Sequence, residues 1–249
     1  MEQSDTGGAQ AGWRGVQKWR LVVDFRRLNE KTIGHAHPPP DIEILDQLGQ
    51  SKYFTCLDMV MGYHQIELKE GNGPKTAFST KQGHWEYRRL PFGLKKAPAS
   101  FQKQMHSVSS GLTGTRCFVY LDDIVIYEKS VADHNTKLRE VLDRLRTYRL
   151  NLQPQKCEFL RKVLNYLGHK ITEAGVKPDP HKVAAITSYS THILVKELKT
   201  FCGMISYYRR FIPNCSGIAF PLQKLLKKDV KLEWTRVRDS LDGGPIIRV

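Results

Sequence analysis

Apolar and polar residues along this chain follow two different periods, and the switches between them divide it into strands and helices. The strongest run is Phe118-Val119-Tyr120-Leu121-Asp122-Asp123-Ile124-Val125-Ile126-Tyr127, apolar, aromatic and β-branched except for two adjacent acids. It predicts two buried strands meeting at a tight turn. Lys52 to Asp58 predicts a second buried strand that ends on an acid. Trp19 to Phe25 reads as a strand, Gln65 to Leu68 as a half-exposed one, and residues 76–80 and 85–88 as a hairpin around Gln82-Gly83. Helical spacing takes over elsewhere. Asp41 is expected to cap a short helix reaching Leu48, and Pro98 to open one carrying Phe101, Met105 and Val108. Asp133 is expected to cap a longer helix with Leu138, Val141, Leu142 and Leu145 on one face and Arg139, Arg144, Arg146 and Arg149 on the other. Short strand-like pieces return from Phe159 to Ile171 around Gly168. Val195, Leu198, Phe201, Cys202, Ile205 and Tyr208 then recur at helical spacing, and Leu222, Leu225 and Leu226 suggest one more short helix.

Proline and glycine punctuate this pattern. Pro38-Pro39-Pro40 demands an extended connector, Gly71 to Pro74 a turn, and Pro178-Asp179-Pro180 a domain hinge. No internal repeat is present. The expected organisation is a flexible lead-in over 1–17, an α+β domain over 18–172, a smaller helical segment over 173–234 and an irregular tail over 235–249.

Composition narrows the class. A chain of 249 residues can bury one large core or two modest ones. The formal charge of +14, from 39 Lys and Arg against 25 acids, implies an anionic partner, nucleic acid first. The five cysteines are scattered, without a Cys-x-x-Cys pair, so neither a zinc site nor a disulfide framework is indicated and a reducing compartment suits them. No run approaches 18 apolar residues and the start lacks a signal peptide's basic and apolar regions. The expectation is an intracellular protein, cytoplasmic or nuclear, with no membrane partner.

The chemistry lies in the acids. Asp122 and Asp123, beside a core, are costly unless a cation or hydrogen bonds satisfy them, and a divalent metal does so most cheaply. If the strand ending at Asp58 pairs with the 118–127 hairpin, three carboxylates meet at one rim. Hard oxygen ligands of that kind suit two magnesium ions, which can clamp both oxygens of a phosphoryl displacement. Two further features accompany them. Pro91-Phe92-Gly93 is a rigid turn leading into a helix, able to present backbone and an aromatic face to a flat ligand. Lys18-Trp19-Arg20 is a pair of cations that can meet a triphosphate. Each has an ordinary explanation alone: turn chemistry, a helix cap, a loop-to-helix joint, a solvated strand edge.

Taken together, the segments around Asp58, Pro91-Phe92-Gly93, Tyr120-Leu121-Asp122-Asp123 and Tyr166-Leu167-Gly168 resemble, in order and spacing, the reverse transcriptases of long-terminal-repeat retrotransposons, the gypsy group in particular. The resemblance runs from about Lys18 to Trp234. It implies the right-hand polymerase fold, with partial fingers and palm followed by a helical thumb or connection segment, in a retrovirus-related Pol polyprotein. It implies an RNA-directed DNA polymerase acting on an RNA or DNA template with a primer and on deoxynucleoside triphosphates, with two Mg²⁺ ions or Mn²⁺ in their place. Asp58, Asp122 and Asp123 match the catalytic, metal-binding acids, Asp122 as the more direct ligand of the adjacent pair. Arg20, assisted by Lys18, matches a contact to the triphosphate. Tyr63 matches the aromatic gate that excludes a ribose 2′-OH and so disfavours an RNA polymerase reading. Phe92 and Gly93 match the strip against the templating pair, and Gln102 a residue near the template. Lys156 is a candidate general acid for the leaving pyrophosphate. Leu167, Gly168 and His169 match the turn that grips the primer, His169 read as exposed or structural. Tyr207, Tyr208, Arg209 and Arg210 mix basic and aromatic character that could track a nucleic-acid backbone, with half of them facing inward. The family has more finger sequence before Lys18, a ribonuclease H domain after Trp234, and a protease and integrase. The chain is therefore expected to be a truncated copy, and the alternative reading is an inactive remnant that only binds nucleic acid.

Overall fold

The computed structural model describes residues 22–34, 44–189 and 195–226, with backbone alone at 8–10, 18–20 and 44. Its contacts divide the chain into two compact units, 1–162 and 163–249.

The first unit is built on a four-stranded antiparallel sheet. Its strands are β3 (Tyr53–Asp58), β6 (Cys117–Tyr120), β7 (Asp123–Glu128) and β8 (Glu158–Arg161), in the order β6-β7-β3-β8. Two short hairpins accompany it: β1 (Gly8–Gln10) with β2 (Lys18–Arg20), and β4 (Phe78–Thr80) with β5 (Gly83–Trp85). Its helices are α1 (Arg26–Lys31), α2 (Ile44–Leu48), α3 (Ala97–Val108) and α4 (Val131–Thr147). Alternation decides the two faces of the sheet. Leu57, Ile124, Ile126, Cys117 and Val119 turn to one side, where Phe101, Met105 and Val108 of α3 and Val141 and Leu145 of α4 close the core. Phe54 and Val125, both fully buried, turn to the other side. Asp58, two residues after Cys56 on the same side as Phe54, is carried beyond the end of that apolar strip.

The strand pairing expected around the acids is present, and helix α3 carries Pro98 in its first turn as expected. Several expectations are corrected. In the run 19–25, Trp19 and Arg20 are strand and residues 22–25 are not. Asp24 accepts the backbone N–H of Arg26 at 2.9 Å and its guanidinium at 2.7–3.0 Å, which turns the chain into α1, a helix the apolar pattern had hidden. The Arg26 contacts hold the Asp24 carboxyl down at about 2. Helix α4 is capped by Ser130 rather than Asp133: Ser130 has extended backbone and its Oγ accepts the Asp133 N–H at 3.1 Å. Asp133 occupies the third helical position and its carboxylate receives the Ser130 hydroxyl at 2.6 Å, so serine is the cap and the acid orients it. Residues 65–68 are not a strand. Gly62–Gln65 is a 3₁₀ turn, followed by a single bridge from Glu67 to Arg89. Asp41, and the proline connector before it, lie outside the described residues, as do all residues after Leu226.

The second unit is an antiparallel meander, β9 (Val163–Tyr166), β10 (His169–Thr172) and β11 (Gly175–Pro178), followed by α5 (Pro180–Thr187), α6 (Val195–Tyr207) and α7 (Cys215–Leu225). Strand β11 adds to the pieces read from the sequence. Pro178-Asp179-Pro180 is a strand-to-helix joint: Pro178 ends β11 and the Asp179 carboxylate caps α5, accepting the His181 N–H at 2.9 Å. Ile186, Ile205, Tyr208 and Ile212 form one small core and Leu198 and Leu222 another.

Candidate active site

Strand β3 lies antiparallel to β7 in unbroken register from Tyr53↔Glu128 to Asp58↔Asp123. Directly opposed residues in such a pair project on the same face with Cβ atoms about 4.5–5.5 Å apart. Asp58 and Asp123 therefore stand side by side at the sheet's end, a like-charge pair that destabilises the sheet unless something compensates. Asp122 is the second residue of the two-residue turn between β6 and β7, and its carbonyl accepts the Met59 N–H at 3.2 Å. All three acids thus reach one rim from two strands and a turn. Burial, then the charges of Asp58 and Asp122, push the Asp123 carboxyl up to about 6, and Lys156 opposes them.

A cation stands against the rim. Lys156 Nζ lies 3.4 Å from both carboxylate oxygens of Asp58. It is carried on a 3₁₀ turn, Pro154–Lys156, that is sewn to the acid strand: Gln153 N–H donates to Asp58 O at 2.8 Å and Met59 bridges Leu152. The donor set, three carboxylates with no sulfur or imidazole, has the chemistry of a hard divalent cation site. Among the described residues no three His, Cys, Asp or Glu side chains close on a single point in this arrangement.

Two further groups shape Asp122. Gly62 is buried, and a Cβ there would lie 2.6 Å from Asp122 Oδ1 and 2.9 Å from Phe101 Cζ, so only glycine leaves room for that carboxylate. Tyr63, next to it, packs between Phe92 (ring centroids 5.1 Å) and the buried Phe101 (5.3 Å). Burial first, then the charge of Asp122, raises the Tyr63 hydroxyl above its usual range, so it stays a neutral donor. The Pro91-Phe92-Gly93 turn is thus in the same neighbourhood as the acids, through Tyr63. Gly93 has φ +91, a backbone favouring glycine.

Gln102 of α3 is buried. Its Oε1 accepts the Leu121 N–H at 2.8 Å and its Nε2 points to Val119 O at 3.5 Å. It holds the acid-bearing turn from below. Leu121 has φ +48, a strained conformation for a residue with a Cβ. Of the remaining residues singled out in the sequence, Lys18 and Arg20 lie on β2, and their side chains are outside the described residues. Leu167, Gly168 and His169 belong to the second unit. Leu167 and Gly168 form the two-residue turn between β9 and β10, and His169 is 1% exposed.

Two braces were not foreseen. Asn29 Nδ2 donates to Gly93 O at 2.8 Å while its Oδ1 accepts the Lys95 N–H at 2.7 Å, pinning the exit of the Phe92-Gly93 turn to α1. Gln65 donates to Val60 O at 2.6 Å and Asn151 O at 2.9 Å and accepts the Asn151 N–H at 2.7 Å. One amide therefore ties the loop after Asp58 to the loop before Lys156. Local sequence holds no signal for either, since every partner but Val60 is 64 to 86 residues away.

An α+β chain with paired acids on adjacent antiparallel strands, backed by two helices, has the palm architecture of a right-hand polymerase. A family model described as reverse transcriptase (RNA-dependent DNA polymerase) matches residues 9–171, and the chain belongs to that family. It is 48% identical over 220 residues to the retrovirus-related Pol polyprotein from transposon 297 of Drosophila melanogaster, a match covering 88% of this chain and 21% of that one. It is 42% identical over 209 residues to the Pol polyprotein from transposon gypsy of the same organism, covering 84% of this chain and 20% of that one. The chain thus spans about a fifth of the length of these curated relatives. Among solved structures it is similar to the foamy viral protease-reverse transcriptase dRH in complex with ds DNA, with TM-score 0.79, 26% identity, and coverage of 94% of this chain and 42% of that one. A second structure of the foamy viral protease-reverse transcriptase, in complex with dsDNA, gives TM-score 0.77 at 25% identity, covering 95% and 50%. Among the described residues no helix is long and apolar enough to cross a membrane.

Proposed function

We propose that this chain is the catalytic segment of an RNA-directed DNA polymerase. It would join deoxynucleotides to a primer 3′-OH on an RNA or DNA template, with residues 18–172 as fingers and palm and 173–234 as thumb or connection segment. The observation that carries this reading is the Asp58↔Asp123 register with Asp122 bonded through its carbonyl to Met59, in a chain of the reverse transcriptase family.

In this reading Asp58 and Asp122 hold two Mg²⁺ ions, or Mn²⁺, and Asp123 supports them. When bound, such ions make a hydroxyl more acidic and neutralise charge on a leaving pyrophosphate. The chain's own residues position and select. Tyr63, fixed between Phe92 and Phe101, presents a rigid edge where a ribose 2′-OH would project, and so favours deoxynucleotides. Phe92 and Gly93, pinned by Asn29, lie against the templating pair. Gln102 serves the site through the Leu121 turn. Lys156 is near enough to the acids to donate a proton to the departing pyrophosphate, worth about 10²–10⁴-fold for a well-placed acid. Arg20 and Lys18 meet the triphosphate. Leu167, Gly168 and His169 hold the primer end. The charge of +14 suits a nucleic-acid duplex, the partner in the foamy viral complexes.

Primer extension on an RNA template tests the reading. Magnesium-dependent incorporation of deoxynucleotides, lost in Asp122→Asn, is expected. Binding of primer and template by the unaltered chain without extension would overturn it in favour of a nucleic-acid-binding remnant, and preference for ribonucleotides would overturn the role of Tyr63.

A further inference from the structure

The turn between β9 and β10 is built against its own preference. Leu167 has φ +47 and Gly168 φ +70, so both central residues of this two-residue hairpin are left-handed. That is the type I′ geometry, which favours Asn-Gly and penalises a leucine in first place. Such a conformation persists only where its surroundings over-determine it. Here the surroundings are two adjacent tyrosines at the end of α6. Tyr207 Oη donates to Leu167 O at 2.6 Å, and Tyr208 Oη donates to Gly168 O at 3.1 Å. Each carbonyl has a second donor from nearby chain: His169 Nδ1 at 2.8 Å from Leu167 O, and Asp179 N–H at 2.9 Å from Gly168 O. The approach is close enough to exclude a side chain, since a Cβ at Gly168 would lie 2.6 Å from Tyr208 Oη. The His169 ring completes the clamp, with ring centroids 5.5 Å from each of Tyr207, Tyr208 and Phe211.

We infer that the hydroxyls of Tyr207 and Tyr208 are positioning groups that fix the Leu167-Gly168 turn and, through it, the placement of a primer's 3′ end. This rests on the polymerase reading above for the role of the turn, and adds the helix that sets it. A conformational change of α6 is thereby coupled to the primer terminus through two hydrogen bonds. The adjacency of the two tyrosines is explained as well. They are perpendicular to each other, with centroids 4.9 Å apart, which lets neighbours on one helix end reach successive carbonyls.

The test uses the full chain with Tyr207→Phe, Tyr208→Phe and both together, which remove the hydroxyls and keep the rings packed. Two measurements are made. Hydrogen exchange should show faster exchange over residues 166–169 and at the Asp179 amide in the double variant, with the helices of the first unit unchanged. Single-turnover extension should fall by about tenfold for each hydroxyl lost, with the deoxynucleotide concentration for half-maximal rate unchanged within about twofold, because the affected partner is the primer and not the incoming nucleotide. A loosened turn with unaltered extension overturns the inference, and so does unaltered exchange. An unaltered chain that extends no primer counts against the polymerase reading itself, and the exchange measurement then decides alone whether the tyrosines hold the turn.

Discussion

Two hairpins of this protein begin with the same dipeptide and end in opposite chemistry. Tyr120-Leu121-Asp122-Asp123 joins β6 to β7, and Tyr166-Leu167-Gly168-His169 joins β9 to β10. Both close in two residues, and both hold their leucine in left-handed backbone, at φ +48 and +47. Both are braced by side chains from a helix, but through opposite backbone groups. At the first, Gln102 accepts the leucine N–H; at the second, Tyr207 and Tyr208 donate to the carbonyls of the leucine and the glycine. Both depend on a glycine that leaves room for a functional atom: Gly62 for the Asp122 carboxylate, Gly168 for the Tyr208 hydroxyl. The same strained turn thus serves two purposes. Where the chain needs charge it ends in acids, and where it needs a shaped surface it ends in glycine and a buried imidazole. Neither leucine conformation is stable alone, so each turn depends on its brace.

The largest effect belongs to the first hairpin. Asp122→Asn removes one charge from the rim without changing shape, and magnesium-dependent extension is expected to fall by at least about a thousandfold while the melting temperature holds or rises. A residual rate near that of the unaltered chain would mean the acids are turn chemistry only. Next in size is Gly62→Ala. Its methyl would lie 2.6 Å from Asp122 Oδ1 with the buried Phe101 behind it, so the carboxylate must move. A displacement near 1 Å costs about 10²-fold in rate. The matching change, Gly168→Ala, displaces a phenol rather than a carboxylate and strains a left-handed residue, so it should cost about 1–2 kcal/mol of stability and only about tenfold in extension. Equal losses from the two alanines, measured side by side, would erase the distinction between a charged and a shaping hairpin.

What the sequence discloses follows from range. Strand β3 and the 118–127 hairpin are legible because acids interrupt long apolar runs, a contrast visible within ten residues. The pairing of Asp58 with Asp123 follows once those strands neighbour each other. The braces are not legible. Gln102 is 19 residues from Leu121 and Tyr207 is 40 from Leu167, and an amide or phenol becomes a brace only when folding delivers its partner. Local signals were present but outweighed in two places. The apolar run to Phe25 reads as a continuing strand, while the Asp24–Arg26 fork starts α1. Of Ser130 and Asp133, both capping residue types, the serine and not the acid is the cap. His169, expected to be exposed or structural, is buried in a cage of three aromatic rings.

A smaller effect separates the two kinds of brace. Gln102→Met keeps the volume and removes the acceptor, so the Leu121 N–H loses its partner at a cost of about 1–3 kcal/mol. Part of that cost should appear as a lower melting temperature and part as a several-fold slower extension, again measured in single turnovers. Tyr208→Phe leaves Gly168 O with the Asp179 N–H still in place, so its stability loss should be less than that of Gln102→Met. The reverse order would show that the second turn has less redundancy than its doubled donors imply.

The smallest effect is one of pH, and in the second hairpin it is carried by one buried ring. Burial is the main cause that lowers the His169 imidazole from its ordinary 6.5, and the Arg210 cation adds to it; the facing Tyr207 and Tyr208 bring no charge while neutral. In the folded chain the ring is therefore neutral where the unfolded chain already binds a proton. Stability contributed by this ring is complete above 6.5 and is lost as pH falls through the lowered value. The Glu128–Lys137 pair of the first unit, Oε1 to Nζ 2.8 Å, works at more acid pH. Its carboxyl is held below 4.5, chiefly by the hydrogen bond from Lys137, so its contribution persists until pH falls through that lower value. Hydrogen exchange between pH 7 and 5 should therefore weaken residues 166–179. Helix α4 should weaken too, since burial lowers its own His134 in the same way, while protonation of Asp123 near 6 relieves repulsion at the start of β7. His169→Asn, which retains a donor for Leu167 O and cannot titrate, should flatten the dependence over residues 166–179 whatever it does to absolute stability. An unchanged slope over residues 166–179 in the Asn variant would remove His169 as the cause.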